Sequence, residues 1–240
     1  MSKTLIIIPV YNEEGNVKPL IKNIFKYLKK DKSILFVDDN SKDKTRLEIQ
    51  ECQTQYKQIF LKVRKSKLGI GSAHKFALKW AYKKKYEIII TMDCDGTHHP
   101  KYISQMIKAL TKKEFDIIST NRFLKKNSLS DWSLWRKFLT SLRFKVINKL
   151  LNIQFDSSGA FRCYDTKKVK LKDLLEAKNN SYSFFWESTF LLNKKNYKIF
   201  EIPIKLPARL TGSSKMEYKD IIFALIYLVV FYLGNIIGKK

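Results

Sequence analysis

Two aspartates, Asp93 and Asp95, stand one residue apart in the stretch TMDCDGTHHP, directly after an apolar run. Carboxylates at positions i and i+2 beyond a strand can grip one hard divalent cation, magnesium or manganese by preference, and such an ion also takes oxygens from a diphosphate. Alone the pair says little, because turns and chance supply many such spacings. Two further polar clusters, PVYNEEGN from Pro9 and DDNSKDKT from Asp38, also follow apolar runs. Acidic loops of this kind are unexpected in a chain with 47 basic residues, 22 acidic ones and a formal charge of +25. His98 and His99 adjoin the carboxylates and can be read as metal ligands, but a hard-oxygen site does not need imidazole. A structural part for both is the better expectation.

The positive excess points to an anionic partner: nucleic acid, a membrane surface or a phosphorylated small molecule. Much of it is lysine. The arginines (Arg46, Arg64, Arg122, Arg136, Arg143, Arg162, Arg209) are the informative subset, since their planar fork suits bidentate phosphate binding. A nucleic-acid-binding protein would show strong salt-dependent binding, yet no recognition motif is visible, and acidic clusters would repel phosphates unless a cation intervened. Nucleic acid is therefore not an expected partner. Cys52, Cys94 and Cys163 are odd in number and widely spaced, which suggests neither a disulfide framework nor a zinc site and fits a reducing compartment.

Positioning these residues falls to a regular alternation. Strand-like runs cover residues 5–10, 34–37, 59–63, 88–92 and 117–120, and between them apolar residues recur at helical spacing, as in Val17, Leu20, Ile21, Ile24 and Leu28. Strands alternating with helices imply an α/β fold with a mainly parallel sheet. Ligands of such sheets gather beyond the carboxyl ends of the strands, so the three acidic clusters should converge on one edge. Near the N-terminus the apolar run is too short for a signal peptide and reads as the first strand.

Two segments suggest a membrane. Residues 221–237 carry no charge and would form a helix about 26 Å long, close to the roughly 30 Å hydrocarbon core. A buried core helix is the alternative, and lying flat would require a polar face that is absent; apolarity all round, with Tyr227 and Tyr232 as interface anchors, favours spanning. Residues 132–151 mix Trp132, Trp135, Phe138, Leu139 and Leu142 with Arg136, Lys137, Arg143 and Lys145. This suits either a basic interfacial helix or a core-packing helix with a solvated lysine face.

Taken in order, PVYNEE, VDDNSKDKT, KLGIGSA, MDCDGTHHP, STNRF, DSSGAFRCY and IPIKLPARLTGSSKM resemble the signature set of the dolichyl-phosphate mannosyltransferase group of family-2 glycosyltransferases. The resemblance runs over residues 9–216 and is specific only as a set. It implies a GT-A fold, Rossmann-like with helices flanking a mainly parallel sheet, over residues 1–216, followed by the 221–237 transmembrane anchor. It also implies inverting transfer of a sugar, most simply mannose from GDP-mannose, to a polyprenyl phosphate. By motif position, Pro9, Tyr11 and Glu13 would line the nucleoside pocket with Val37 and Asp39 beside them. Asp93 and Asp95 would hold a Mg or Mn ion and the diphosphate, with Cys94 in contact between them and Thr97 as a third ligand. Arg122, Arg209 and Lys215 would clamp the phosphates or the sugar, which makes them, with Asp95, the expected catalytic set.

The chemistry is consistent with this resemblance. Negative charge builds on a departing nucleoside diphosphate, where a cation and basic side chains stabilise it. A phosphate monoester acceptor, with a second pKa of about 6, is largely dianionic near neutrality and needs no general base. No serine, histidine and acid triad is evident. A lipid acceptor accounts for the apolar tail, and lysines attract an anionic leaflet. A single-pass protein with its catalytic domain on the cytoplasmic side is expected, with room for partner subunits in the membrane. Two departures leave the sugar open: Phe185 precedes Glu187 where members often carry glutamine, and Ser158 stands where threonine is usual. A related transferase using a UDP-sugar such as UDP-glucose, with undecaprenyl phosphate or a glycan as acceptor, is the nearest alternative. The processive signature Q-x-x-R-W is absent, which argues for a single transfer.

Overall fold

The computed structural model describes residues 3–28, 32–112, 114–209 and 218–237. The first half alternates β1 (Thr4–Val10), α1 (Val17–Tyr27), β2 (Ser33–Asp38), α2 (Thr45–Gln55), β3 (Ile59–Val63), α3 (Ile70–Lys83), β4 (Ile88–Thr91) and α4 (Lys101–Thr111). The second half adds β5 (Ile117–Asn121), α5 (Leu134–Leu151), β6 (Arg162–Asp165), the single-turn α6 (Leu171–Leu174), α7 (Phe184–Lys194), β7 (Ile199–Pro203) and α8 (Tyr218–Ile237). The strands form one sheet in the order β3-β2-β1-β4-β6-β5-β7. All pairings are parallel except those of β6 with β4 and with β5.

The run LIII of β1 shows why this sheet lies inside the molecule. Ile6 and Ile8 face one core, shared with Val17, Leu20, Ile21 and Ile24 of α1 and with Ile103 and Met106 of α4. Leu5 and Ile7 face the other core, with Ala73, Ala77 and Leu78 of α3. A strand buried on both faces needs apolar residues at every position rather than alternating ones. Each of these side chains is fully or almost fully buried, which stabilises by roughly 1.5–3 kcal/mol for each of the larger ones and less for the alanines.

β1 leads to β2 on one side, and β4 lies on the other. That divergence leaves a crevice beyond the carboxyl ends of β1 and β4. It is widened by the register: β4 pairs only as far as Thr91 against Ile7, while β1 continues to Val10 beside β2. Pro9, which has no N–H to donate, sits in this extra length, where β4 no longer needs one.

The strand β6 has no counterpart among the runs anticipated from sequence. Its four residues, RCYD, alternate too briefly to announce a strand, and it is held by neighbours on both sides. The 132–151 segment forms α5, which buries only Ile147 and Leu151 and exposes Leu134, Trp135 (69%), Phe138, Leu139 and Leu142. The helix α8 is long and apolar enough to cross a membrane, and only 6% of its most apolar window is buried, which removes the core-helix alternative. Its inner side, Tyr227, Leu228 and Phe231, packs against Trp186 and Phe190 of α7 in a cluster shared with Ile147 and Leu151 of α5.

Candidate active site

The loops after β1 and β2 are laced together. The backbone N–H of Asn12 donates to Ser41 Oγ (2.9 Å), that of Glu13 to Thr45 Oγ1 (2.7 Å), that of Glu14 to Asp43 Oδ2 (3.0 Å) and that of Gly15 to Glu48 Oε1 (2.8 Å). In return, Asn12 Oδ1 accepts from the Lys42 N–H (2.8 Å). Asn12 and Asn40 take positive φ values of 52° and 64°, which asparagine tolerates better than most residues. The acids and hydroxyls that looked like surplus polar residues are therefore mostly partners for backbone donors.

Within this frame, Asp38 is fully buried, with Oδ1 accepting from the Ser41 hydroxyl (2.5 Å) and Oδ2 from Arg46 Nη2 (3.1 Å). Asp39 is paired with Arg64, whose guanidinium also donates to Ser72 Oγ (2.7 Å) and to the Gly69 carbonyl (3.1 Å). Burial pushes the Asp39 carboxyl above its ordinary range, against the pull of Arg64. Arg64 was not among the expected site residues, although its place directly after β3, at the same sheet edge, is a legible signal. Val37 is fully buried in the core, so its side chain does not face the crevice. Tyr11 lies at the mouth with the Lys67 ammonium 4.9 Å from its ring centre.

The third acidic loop closes the set. Asp95 Oδ1 accepts from the Thr97 N–H (3.1 Å) and hydroxyl (2.6 Å), while its Oδ2 lies 3.0 Å from Arg209 Nε. The same guanidinium reaches Glu13 Oε1 (3.3 Å), and Glu13 Oε2 accepts from Asn16 Nδ2 (2.7 Å). One arginine from the chain after β7 thus bridges the loop after β1 to the loop after β4, and the expected convergence holds. Asp93 keeps about a third of its side chain exposed to the crevice. Recession into the crevice raises its carboxyl above the ordinary range, and the Asp95 charge adds to this. Cys94 points the other way, into the core, where burial pushes its thiol well up.

Both histidines serve the backbone. His98 Nδ1 accepts from the Asp93 N–H (3.0 Å) and lies 3.5 Å from the Asp93 carboxylate, and the ring packs on Phe161. His99 Nδ1 accepts from the Lys101 N–H at the start of α4 (3.1 Å). Among the described residues no three acidic, histidine or cysteine side chains gather as a ready-made metal cage. The donor set nevertheless fits a magnesium or manganese ion, which binds through one or two carboxylates and takes its other oxygens from phosphates and water. The guanidinium lodged on Asp95 shows that this carboxylate accepts a positive partner from the crevice side.

A second basic group lies beside the first. Arg122 Nε donates to Asp156 Oδ2 (2.6 Å), and the Asp156 N–H is fixed by Glu201 Oε1 (2.7 Å). Ser158, the departure from the threonine pattern, donates to Asp156 Oδ1 (3.0 Å) and accepts from Arg143 Nη2 of α5 (3.2 Å). Gly159 permits this crowding, since a Cβ there would lie 3.3 Å from Arg122 Nη2. Arg136, stacked 3.7 Å over Trp132, lies within electrostatic reach of Asp95, Arg209 and Arg122. Arg136 and Arg143 were visible in the sequence only as the basic face of a helix. Phe185 is buried against His74, and Glu187 is buried holding the Lys178 and Asn179 N–H groups (2.7 and 2.9 Å). Lys215 lies outside the described residues.

Residues 5–170 match the family model described as glycosyl transferase family 2. The chain belongs to this family. The glycosyltransferase is 28% identical over 222 residues to a polyprenol monophosphomannose synthase of Mycolicibacterium smegmatis, covering 91% of this chain and 83% of that one. It is 25% identical over 216 residues to an undecaprenyl-phosphate mannosyltransferase of Micrococcus luteus, covering 90% and 88%. In fold it is similar to the mannosyltransferase of Pyrobaculum calidifontis solved in complex with GDP-mannose and Mn2+, with a TM-score of 0.59, 18% identity and coverage of 98% and 64%. The seven-stranded sheet and its crevice are thus those of a GT-A-like enzyme.

Proposed function

We propose that this glycosyltransferase moves a hexose, most simply mannose from GDP-mannose, onto a polyprenyl phosphate at the cytoplasmic face of a membrane, inverting the anomeric carbon and depending on Mg2+ or Mn2+. The observation that carries the reading is the juxtaposition of two charge systems. On one side Arg209 is held between Asp95 and Glu13; on the other Arg122, Arg136 and Arg143 gather beside a helix whose apolar side chains are exposed. The first suits a nucleoside diphosphate and the second a phosphate that arrives from lipid. The two mannosyltransferase relatives named for polyprenol and undecaprenyl phosphate support the same choice.

Asp93 and Asp95 would hold the cation, which when bound supplies positive charge to the departing diphosphate. Arg209, released from Asp95, is placed to add its own. Arg122, fixed by Asp156, and Arg136 orient the acceptor phosphate, whose oxygen attacks the anomeric carbon from the face opposite the leaving diphosphate. The bond from carbon to the diphosphate oxygen breaks, and no proton needs to move, because the acceptor is already a dianion near neutrality. This accounts for a crevice whose two histidines are engaged by backbone. Burying the α8 and α5 apolar faces in the bilayer, α8 across it and α5 along its surface, sets the crevice at the depth of the lipid phosphate.

The test is incubation of the purified full chain with radiolabelled GDP-mannose, Mn2+ and a polyprenyl phosphate, beside a panel of UDP-sugars. A lipid-linked sugar should form with one donor and none should form with Asp95→Asn. Absence of product with every donor would end the proposal, and product from UDP-glucose alone would replace mannose with glucose.

A further inference from the structure

One carboxylate of β7 reaches both stretches of chain that surround Arg122. Glu201 Oε1 accepts from the Asp156 N–H (2.7 Å), and Glu201 Oε2 accepts from Asn121 Nδ2 (2.7 Å) at the end of β5. Asn121 directly precedes Arg122 in the chain, and Asp156 Oδ2 accepts from Arg122 Nε (2.6 Å). The arginine is therefore fixed at its root through Asn121 and at its head through Asp156, and both fixtures end on Glu201. With Arg122 9% and Asp156 1% exposed, solvent is not at hand to replace a lost partner.

The polarity of these bonds restricts what can stand at position 201. Asn121 Oδ1 accepts from the Phe123 N–H (2.7 Å), a main-chain donor that cannot be inverted, so the Asn121 amide must turn its Nδ2 donor towards Glu201. The Asp156 N–H is likewise an obligate donor. Two donors converging on one side chain require an acceptor at each terminus, which a carboxylate supplies and a glutamine amide, with one oxygen and one NH2, does not. Burial raises the Glu201 carboxyl above its ordinary range, while both bonds pull it back towards the charged form. The rest of the loop after Asp156 is held from the same row of the sheet. Glu201 stands in register with Ser119, Ser119 with Arg162 and Arg162 with Thr91. Arg162 Nη2 donates to the Ser157 carbonyl (2.8 Å) and its Nε to that of Gly159 (2.9 Å), and Thr91 Oγ1 donates to that of Ala160 (2.5 Å). Within this row it is Glu201 that bonds to Asp156.

We propose that Glu201 is a positioning residue for the transfer: as an ionised carboxylate it aligns Arg122 from both flanks, so that the guanidinium meets the acceptor phosphate in one orientation. This deepens, and rests on, the reading that Arg122 handles a polyprenyl phosphate. In this part Glu201 touches no reactant. Its contribution is to geometry, and it should appear in turnover with the acceptor while the donor side, built on Asp93, Asp95 and Arg209, stays as it is.

The test uses the full chain in lipid nanodiscs with Mn2+, GDP-mannose and a polyprenyl phosphate, with UDP-glucose replacing GDP-mannose if the parent selects that donor. The parent, Glu201→Gln and the pair Glu201→Gln with Asn121→Asp are compared in kcat/KM for the acceptor and in Kd for the donor. In the single variant two NH2 groups face each other, so kcat/KM should fall roughly 10–100-fold with Kd unchanged. In the pair the new amide donates to the new carboxylate, which still accepts from the Phe123 N–H; every donor is matched again, and kcat/KM should return to within about threefold of the parent. Such a rescue separates the polarity of the bond from a general need for an intact β7. Unchanged turnover in Glu201→Gln, a pair no better than the single variant, or a donor Kd that weakens along with turnover overturns the proposal. If Glu201→Gln does not fold, the pair decides: transfer near the parent rate upholds the proposal and its absence overturns it. A parent that moves no sugar to any polyprenyl phosphate instead overturns the functional reading itself, and this proposal with it.

Discussion

Replacing Arg209 by alanine tests whether the crevice carboxylates are a cation site. The guanidinium contacts Asp95 Oδ2 at 3.0 Å and Glu13 Oε1 at 3.3 Å, and the two acids are only 10% and 9% exposed while Arg209 is 22% exposed. Hydrogen bonds to charged groups contribute about 1.5–3 kcal/mol each, but the longer contact and the partial exposure of Arg209 reduce the sum, so about 2 kcal/mol is expected for the pair. For a chain of this length that corresponds to a fall in Tm of about 4–8 °C. Cys52, Cys94 and Cys163 are all buried, so a thiol-reactive dye reports unfolding directly in detergent. Manganese should raise Tm more in Arg209→Ala than in the parent, because in the parent the ion competes with a guanidinium already in place. If the substitution leaves Tm unchanged, or if manganese stabilises the variant no more than the parent, then Arg209 is not standing in for a cation and the metal assignment to Asp95 fails.

Other perturbations follow from the same geometry. Asp156→Asn should lower kcat/KM roughly 10–100-fold, or about 1.4–2.8 kcal/mol, by loosening Arg122, with donor affinity unchanged in a binding assay. Trp135→Glu combined with Phe138→Glu should raise KM for polyprenyl phosphate by about tenfold or more and leave donor binding alone, because these side chains are exposed on the face of α5 proposed to meet the bilayer. His74 is buried beside Phe184 and Phe185, and burial lowers its pKa from 6.5 to about 3. The unfolded chain therefore takes up a proton that the folded chain refuses as pH falls below 6.5. Stability should drop by about 2 kcal/mol between pH 7 and pH 5 from this group alone, and His74→Gln should show a correspondingly shallower fall in chemical denaturation.

The sheet was legible because its strands are short apolar runs buried on both faces, and the helices between them because α1 and α4 keep a strict 3.6-residue period. Convergence of the three acidic loops followed from their place at the carboxyl ends of strands expected to run parallel. The site was legible in its acids and less so in its bases. Asp93, Asp95, Glu13 and Arg209 meet, whereas Val37 and Cys94 turn inward, because a residue adjacent to a site residue along a strand end points to the opposite face. Arg136 and Arg143 could not be assigned to the crevice from sequence, because both reach it only through the packing of α5, whereas Arg64, directly after β3 at the same sheet edge, carried a legible signal. The strand β6 escaped for a related reason, since four residues carry too little pattern and are held by β4 and β5 rather than by their own propensity.

The lacing between the loops that follow β1 and β2 has an entropic consequence. Four main-chain donors of one loop end on side chains of the other, which ties the two segments into one part, and in the proposed reaction a nucleoside would meet walls already in position. Little ordering would be required on that half of the crevice, which lowers the entropic cost of docking the base. The rearrangement that the proposed donor would require falls to Arg209, whose hold on Asp95 and Glu13 is side chain to side chain and involves no main-chain bond.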